Sequence, residues 1–296
     1  MTDAALVKKD TRVAYALAWM CVALASFSTI AITGRLAAHG ATTLEMMFYR
    51  SLMSLAIVLA LVMAGPGLSQ MRTERLTLHT LRATMHFIAQ YSWLAALMLI
   101  PMAQLFALEF TAPIWVAMLA PLFLGERLTR TRAIAAALGF VGLLIVARPG
   151  MIQFNSGVAL ALVAAVGFAL SMLCTKSLTT RNEGALRILF YMFLIQAILS
   201  LLLLFGGVRL LDWATMGWIL ALAIAGLSAH YSLVRAFTLA DAIIVAPMDF
   251  LRLPLIAVVG ALFYAEPLDP IVLFGGLLII GANVVNLLGE RRVQRG

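Results

Sequence analysis

The sequence predicts an all-α membrane protein whose ten transmembrane helices form two inverted five-helix repeats. Three observations support this fold class: the composition is strongly apolar, the apolar segments have the length of a membrane span, and part of the first half recurs in the second. Hydrophobic residues make up 64% of the 296 residues and charged residues 11%, against roughly 45–50% and about 25% in soluble domains. A soluble core of this size could not bury so much apolar surface.

The apolar segments are separated by short loops that contain glycine, proline and charged residues. A helix of about 20 apolar residues crosses about 30 Å of hydrocarbon. The first segment is longer than the apolar core of a signal peptide, so we interpret it as a span. The ten predicted spans are 13–33, 43–64, 79–99, 102–124, 132–148, 156–175, 185–206, 212–232, 242–264 and 270–288.

Basic residues are distributed unevenly between the two sides of this arrangement. Sixteen lie at the termini and in the even-numbered loops, whereas only Arg35, Arg148 and Arg209 lie in the odd-numbered loops. Because cytoplasmic loops are enriched in Lys and Arg, we predict a multi-pass protein of the cell inner membrane with both termini in the cytoplasm. The same rule accounts for the net charge of +8, so no nucleic-acid partner is predicted.

One stretch of the first half recurs 140 residues later. Residues 91–128 and 231–268 share ten identities at this offset, including Glu126 and Glu266. The recurrence divides the chain into repeats 1–150 and 151–296, and the second must be inverted because five spans is an odd number. The charges agree, since the loop at Glu126 is rich in arginine and the loop at Glu266 has no cation. Inverted repeats are typical of transporters with a substrate site near mid-membrane.

Several segments also resemble a known family. The stretch FLGERLTRTRAIAAALGFVGLLIV at 123–146 resembles the end-of-repeat signature of EamA-type members of the drug/metabolite transporter superfamily, and FYRS at 48–51 resembles their arginine-bearing second span. The second copy departs from the signature, because Ala265 stands in place of the glycine. The resemblance covers nearly the whole chain and is closest to the YddG-type (aromatic) amino-acid exporters. It implies export of small metabolites by alternating access.

Four charged residues stand out inside the predicted spans, where charged groups usually face a cavity or a partner. Glu109 and Asp249 are equivalent positions in the two halves, each seven residues into its span. Arg50 is expected at a depth similar to Glu109, and Arg252 follows Asp249 on the same helical face. Either these groups form two structural ion pairs, Arg50–Glu109 and Asp249–Arg252, or they bind the two ends of a zwitterion or carry a proton.

Polar and aromatic side chains in spans three and eight complete the candidate site. Span three has three of them on one face, at i, i+4 and i+7 from His86, and His230 lies in the corresponding part of span eight. Ordinary interhelical packing is the alternative explanation. The candidate substrate-binding residues are Arg50, His86, Gln90, Tyr91, Trp93, Glu109, His230, Tyr231, Asp249 and Arg252.

These observations lead us to expect an exporter of amino acids, with a small-molecule substrate and the lipid bilayer as its partners. The alternative is efflux of lipophilic cations or other small metabolites, for which Glu109 and Asp249 would be acidic recognition points. An enzyme is not predicted, because the sequence has no zinc-binding His-Glu-x-x-His and no Gly-x-Ser-x-Gly motif. Cys21 and Cys174 lie in apolar segments and indicate neither a disulfide nor a metal site, and no cofactor is predicted.

Overall fold

The structure of the protein is a computed structural model that describes residues 3–65, 67–124, 130–148, 155–205, 207–239 and 251–295. The described residues are helical and contain no strand, which confirms the predicted fold class. A short 3-10 helix, Leu68–Met71, follows the second helix. The α-helices are α1 (Asp3–Ala37), α2 (Thr43–Ala64), α3 (Leu76–Leu97), α4 (Met102–Glu109), α5 (Ala112–Leu124), α6 (Arg130–Ala147), α7 (Ser156–Thr179), α8 (Ala185–Leu203), α9 (Trp213–Leu239), α10 (Arg252–Tyr264) and α11 (Pro270–Arg295).

The helices lie where the spans were predicted. Six segments are long and apolar enough to cross a membrane, and three shorter apolar helices, Ala133–Ala147, Arg252–Tyr264 and Pro270–Val285, lie at predicted spans five, nine and ten. The helix α3 lies at predicted span three and carries buried polar residues such as His86 and Gln90. The start of predicted span nine, at 240–250, lies outside the described residues.

Predicted span four differs from the prediction because it is interrupted between α4 and α5. Pro113 has no backbone N–H, so the helix loses the hydrogen bond that would reach the carbonyl of Glu109. The amide of Asn283 in α11 donates to the carbonyl of Phe110 at 2.8 Å, which satisfies one group exposed by the break. Irregular backbone at membrane depth requires such internal partners. Glu109 therefore lies at the end of a half-length helix.

The helices of the two halves pair in a two-fold pattern. The helix α1 packs along α9 and α3 packs along α7, while α2 packs along α8, α6 along α11 and α4 against α10. Exchanging each span with the one five places along converts the α1–α9 pair into the α3–α7 pair and maps each of the other three pairs onto itself. Two repeats related by a pseudo-twofold axis produce this pattern. A site on that axis is consequently built from both halves.

Individual contacts repeat the same symmetry. The Tyr49 hydroxyl of α2 donates to the carbonyl of Arg209 at 2.8 Å, and the Tyr191 hydroxyl of α8 donates to the carbonyl of Met71 at 2.9 Å. Each tyrosine comes from the second span of one half and reaches the loop that follows the second span of the other. The helices α5 and α10 also correspond, since both have 13 residues and begin 140 positions apart.

The three arginines of the odd-numbered loops all form ion pairs that join one half to the other. The pairs are Arg35–Glu266, Arg148–Asp269 and Arg209–Glu45. The carboxylate of Glu45 also accepts hydrogen bonds from the backbone and the side chain of Thr42 in a capping box at the start of α2. The face where these loops lie is the one that the charge distribution predicts to be outside the cell.

Glu266, the residue that recurs at an offset of 140, has a structural role at this face. Besides pairing with Arg35, its carboxylate accepts a hydrogen bond from the backbone N–H of Met102 at 2.8 Å. Arg35 in turn donates to the carbonyl of Leu97 at 2.9 Å. The carboxylate from the second half therefore fixes the turn between spans three and four of the first half. Its counterpart Glu126 lies outside the described residues.

Another carboxylate, Glu183 in the loop between α7 and α8, joins the halves on the opposite face. Glu183 accepts hydrogen bonds from Thr73 at 2.7 Å and from Arg187 at 2.8 Å, and His79 Nε2 lies 3.3 Å away. Burial raises the pKa of the Glu183 carboxyl, but the hydrogen bonds from Thr73 and Arg187, together with the nearby His79 ring, outweigh burial and hold it below its ordinary value. The ionised carboxylate of Glu183 thus fixes the loop of the second half to the first half.

Candidate functional site

An ion pair between the two halves forms the first part of the candidate site. Arg252 Nη1 at the start of α10 lies 3.4 Å from Glu109 Oε1 at the end of α4. The other carboxylate oxygen, Oε2, accepts a hydrogen bond from Trp93 Nε1 at 2.8 Å. Trp93 and Arg252 are both buried. Both oxygens of Glu109 consequently have a donor, and one of the donors comes from the second half.

The predicted Arg50–Glu109 pair is wrong, because Glu109 pairs with Arg252. The reason lies in the packing, since α4 packs against α10, whereas α2, which carries Arg50, packs along α8 and α9. The depth of a residue in the membrane, which sequence can estimate, does not determine the helix that it faces. Asp249 lies outside the described residues, and its pairing with Arg252 stays a prediction.

Aromatic rings surround the guanidinium of Arg252. Its central carbon lies 3.9 Å from the ring centroid of Phe27 in α1, 5.1 Å from that of Phe110 and 5.9 Å from that of Phe106. A cation over the face of an aromatic ring is attracted by the ring quadrupole. These rings stabilise the buried guanidinium and also form an apolar wall beside the ion pair.

Two histidines continue the cluster from Phe27 towards α8. The His230 ring lies 6.4 Å from the Phe27 ring and 6.5 Å from the His86 ring, measured between centroids. Gln196 Nε2 lies 2.9 Å from His86 Nδ1. Because an amide nitrogen only donates, Nδ1 accepts this bond, and the proton of a neutral His86 ring is on Nε2. His86 is buried, whereas His230 is exposed.

Two further arginines lie near the histidines. Arg50 is 4% exposed, and its Nη1 has no hydrogen-bond partner among the described residues. Its guanidinium lies against Gly226 of α9, where an added Cβ would be 3.4 Å from Nη2. Arg82 is also buried and donates from Nε to the hydroxyl of Thr175 at 2.7 Å. Arg50 and Arg82 both lie within electrostatic range of His230.

These side chains form what we term the interface cluster, in which most contacts join one half to the other. The interface cluster consists of Trp93, Glu109, Arg252, Phe27, His230, His86 and Gln196, which contact one another in this order, together with Arg50, which lies against Gly226 of the helix that carries His230. From Glu109 to Gln196, every contact joins a residue of one half to a residue of the other. A movement of one half relative to the other must therefore change these contacts, and so must a solute bound among them.

Three predicted site residues lie apart from the interface cluster. Gln90 is buried on α3, one turn beyond His86. Tyr91 is exposed, and Tyr231 is exposed and packs edge-on against Trp19 of α1 with ring centroids 5.6 Å apart. The contacts of the described residues do not connect Tyr91 or Tyr231 to the cluster. Adjacent residues of a helix point in different directions. This explains why Tyr231 does not share the contacts of His230, and why Tyr91 is exposed although Gln90 is buried.

Sequence reasoning missed other members of the site. Gln196 is an isolated amide in an apolar segment, and the rule that polar residues in spans are functional candidates would have found it. Arg82 was counted only among the basic residues of the cytoplasmic side, although it is buried in α3. Phe27 carries no such signal, because one phenylalanine in an apolar span resembles any other.

Comparison with known proteins identifies the family. A sequence model of the EamA-like transporter family matches residues 14–148 and again 155–288. A solved crystal structure with 17% sequence identity superposes with a TM-score of 0.63, covering 94% of this chain and 98% of that one; this likeness supports the fold alone. The division of the repeats between residues 150 and 151 stays a prediction.

Curated relatives extend over nearly the whole chain. An S-adenosylmethionine uptake transporter of Rickettsia felis is 25% identical over 94% of both chains. A riboflavin transporter of Rhizobium johnstonii is 29% identical over 100% of this chain and 98% of its own. The pseudopaline exporter CntI of Pseudomonas aeruginosa is 27% identical over 88% and 92%, respectively. Their names do not support the narrower resemblance to amino-acid exporters. The family resemblance is confirmed: this chain belongs to the EamA-like transporter family and is a membrane transporter.

Proposed function

We propose that this transporter exports amino acids or amino-acid-derived metabolites across the inner membrane, with the substrate bound in the interface cluster and exposed to one side at a time. The observation that carries this proposal is the Glu109–Arg252 pair, in which opposite charges from the two halves lie 3.4 Å apart beside the Phe27 ring. An α-amino acid has the complementary pair of charges on two groups attached to the same carbon atom. S-adenosylmethionine, the substrate in the name of one relative, also contains this group.

A zwitterionic substrate can replace each member of the ion pair as the partner of the other. An ammonium group can replace the guanidinium at Glu109, and a carboxylate can accept a charge-assisted hydrogen bond from Arg252. Without substrate, the ion pair supplies each buried charge with a counter-ion, which limits the cost of burying it. A bound zwitterion therefore separates the pair and links the two halves through itself. A ligand that binds one conformation of the protein more tightly than another shifts the population towards the first.

Lipophilic cations fit the cluster less well. Among the described residues, the cluster contains two buried arginines, Arg50 and Arg252, and one carboxylate, Glu109, and a third buried arginine, Arg82, lies on α3. Like charges repel strongly where the effective dielectric is low. A cationic drug would approach this excess of positive charge, whereas a zwitterion or an anion would not be repelled.

Flux into proteoliposomes tests the proposal directly. Purified protein is reconstituted and offered radiolabelled amino acids, S-adenosylmethionine, riboflavin and the lipophilic cation ethidium, with and without a pH gradient. We expect saturable flux of amino acids or of the amino-acid derivative, and loss of that flux in Glu109→Gln. Glu74→Gln is the matched control, because Glu74 is exposed in a loop. Flux of ethidium or riboflavin alone would refute the proposal.

Growth and release measurements test the direction of transport. Cells that overproduce the protein should tolerate toxic amino-acid analogues better and release more amino acid into the medium than cells that produce Glu109→Gln. Greater sensitivity to the analogues would show uptake and would contradict export.

A further inference from the structure

We infer that Arg50, His86 and His230 form a second subsite that binds an acidic group of the substrate, a carboxylate in the simplest case. This inference rests on the proposed function and adds a substrate class to it. The head group of the amino acid would bind at Glu109 and Arg252, and a carboxylate on the rest of the molecule would bind near Arg50. Amino acids and derivatives that carry an additional carboxylate are then the preferred substrates.

The unsatisfied charge of Arg50 carries this inference. The side chain is 4% exposed, and Nη1 has no hydrogen-bond partner among the described residues. Arginine keeps its proton in proteins, so it cannot become neutral to avoid the cost of burial. The carboxylate of the interface cluster, that of Glu109, already accepts hydrogen bonds from Trp93 and Arg252. A carboxylate supplied by the substrate would satisfy both the charge and the free N–H groups.

The surroundings of Arg50 favour an anion. Gly226 presents no side chain to the guanidinium, which lies against its backbone. The hydrogen bond from Gln196 to His86 Nδ1 leaves the Nε2 proton of His86 as a donor. Arg82 and Arg252 add positive potential at His230. The three helices α2, α3 and α9 thus contribute donors and positive charge, as a carboxylate requires.

The two subsites adjoin at one aromatic ring. Phe27 lies 3.9 Å from the Arg252 guanidinium and 6.4 Å from the His230 ring. Phe27 therefore lies between the Glu109–Arg252 pair and the His230 ring and contacts both. His230, at the far end of this row, is exposed.

The test compares L-glutamate with L-glutamine, which have the same shape and differ in the charge of the side chain. The readout is the ratio of their fluxes, expressed as kcat/KM, in the same preparation of proteoliposomes. We expect the wild-type protein to favour glutamate by at least roughly tenfold. Arg50→Gln should lower the ratio to about one, whereas Arg50→Lys should retain a preference for glutamate. Arg75→Gln, at an exposed arginine before α3, is the matched control and should keep the wild-type ratio.

The outcomes separate this inference from the proposed function. A wild-type ratio of one or less, with measurable flux of either amino acid, overturns the acidic subsite and leaves the proposed function standing. A ratio that stays high in Arg50→Gln overturns the role of Arg50. Flux of no amino acid or derivative overturns both proposals. If Arg50→Gln does not fold, His230→Gln at the exposed histidine replaces it, and a ratio that does not fall in this variant overturns the subsite.

Discussion

Glu109 and Arg252 face each other across the boundary between the halves, with Oε1 and Nη1 3.4 Å apart. Glu109 is the last residue of α4 and Arg252 is the first residue of α10. The partial charge of a helix is negative at its C-terminus and positive at its N-terminus. Each residue therefore has the sign that its own helix end disfavours. The stability of the helices therefore does not explain why a glutamate and an arginine stand at these ends. The ion pair between the halves and the contact of Arg252 with the Phe27 ring explain it.

Neutralising this pair should separate its structural effect from its role in transport. Glu109→Gln or Arg252→Gln alone should lower the stability of the purified protein by about 3 kcal/mol, because one buried charge loses a counter-ion. The double variant should regain most of this stability, since neither charge remains. Its amino-acid flux should stay at least roughly tenfold below that of the wild type. Thermal unfolding in detergent and flux in proteoliposomes are the two measurements. Wild-type flux in the double variant would mean that the pair is structural only.

The topology can be determined by cysteine labelling in intact cells. In a background with Cys21 and Cys174 replaced by serine, single cysteines at Ser69 and Thr180 should resist a membrane-impermeant thiol reagent, and one at Gly207 should react. Ser69 is preferable to Gly67, whose φ of 80° a cysteine would adopt only with strain.

Labelling after cell lysis is the control for this experiment, because all three cysteines should then react. Reaction of the Ser69 or Thr180 cysteine before lysis would contradict the cytoplasmic position of the even-numbered loops.

The contact between α6 and α11 should be sensitive to a single methyl group. A Cβ at Gly142 would lie 2.9 Å from the carbonyl oxygen of Gly275 and 3.1 Å from the backbone nitrogen of Ile279. Backbone atoms cannot rotate away, so Gly142→Ala should destabilise the protein by about 1–3 kcal/mol. Gly281 of α11 has no atom within 4 Å of an added Cβ, and Gly281→Ala should be neutral or slightly stabilising. Equal melting temperatures for the two variants would contradict the close packing.

Ala265 should be replaceable by glycine with a gain in stability. It ends α10 in the left-handed conformation, with φ 51° and ψ 32°, which costs a residue with a Cβ about 1 kcal/mol. Ala265→Gly should therefore raise the stability by about 1 kcal/mol, which melting in detergent can detect. Ala261→Gly, within α10, is the matched control and should lower the stability by a similar amount. A lower melting temperature for Ala265→Gly would refute the assignment of strain.

The first sequence copy indicates the same preference. It has Gly125 at the position equivalent to Ala265, so the departure from the family signature noted in the sequence coincides with a strained backbone in the structure. The sequence identified the unusual residue, and only the φ angle shows why it matters.

Other features were predicted in part. The sequence predicted one continuous span at 102–124, whereas the helix is interrupted between α4 and α5, where Asn283 donates to the carbonyl of Phe110. The recurrence of Glu126 and Glu266 predicted two halves. That Glu266 holds the N–H of Met102 and the guanidinium of Arg35 depends on residues distant in the chain, and no local pattern indicates it.

The sequence by itself determined that this protein has the fold of a membrane transporter, with ten spans arranged in two repeats. Insertion into a bilayer depends on the length and hydropathy of each segment, and these are local properties that the chain displays directly. The tertiary structure decided which charges meet. Arg50 and Arg252 are both arginines inside spans, yet only Arg252 reaches Glu109, because α10 packs against α4 and α2 packs along α8 and α9. Helix packing depends on surfaces far apart in sequence, so ion pairs between the halves follow from the assembled fold and not from the depth of each residue.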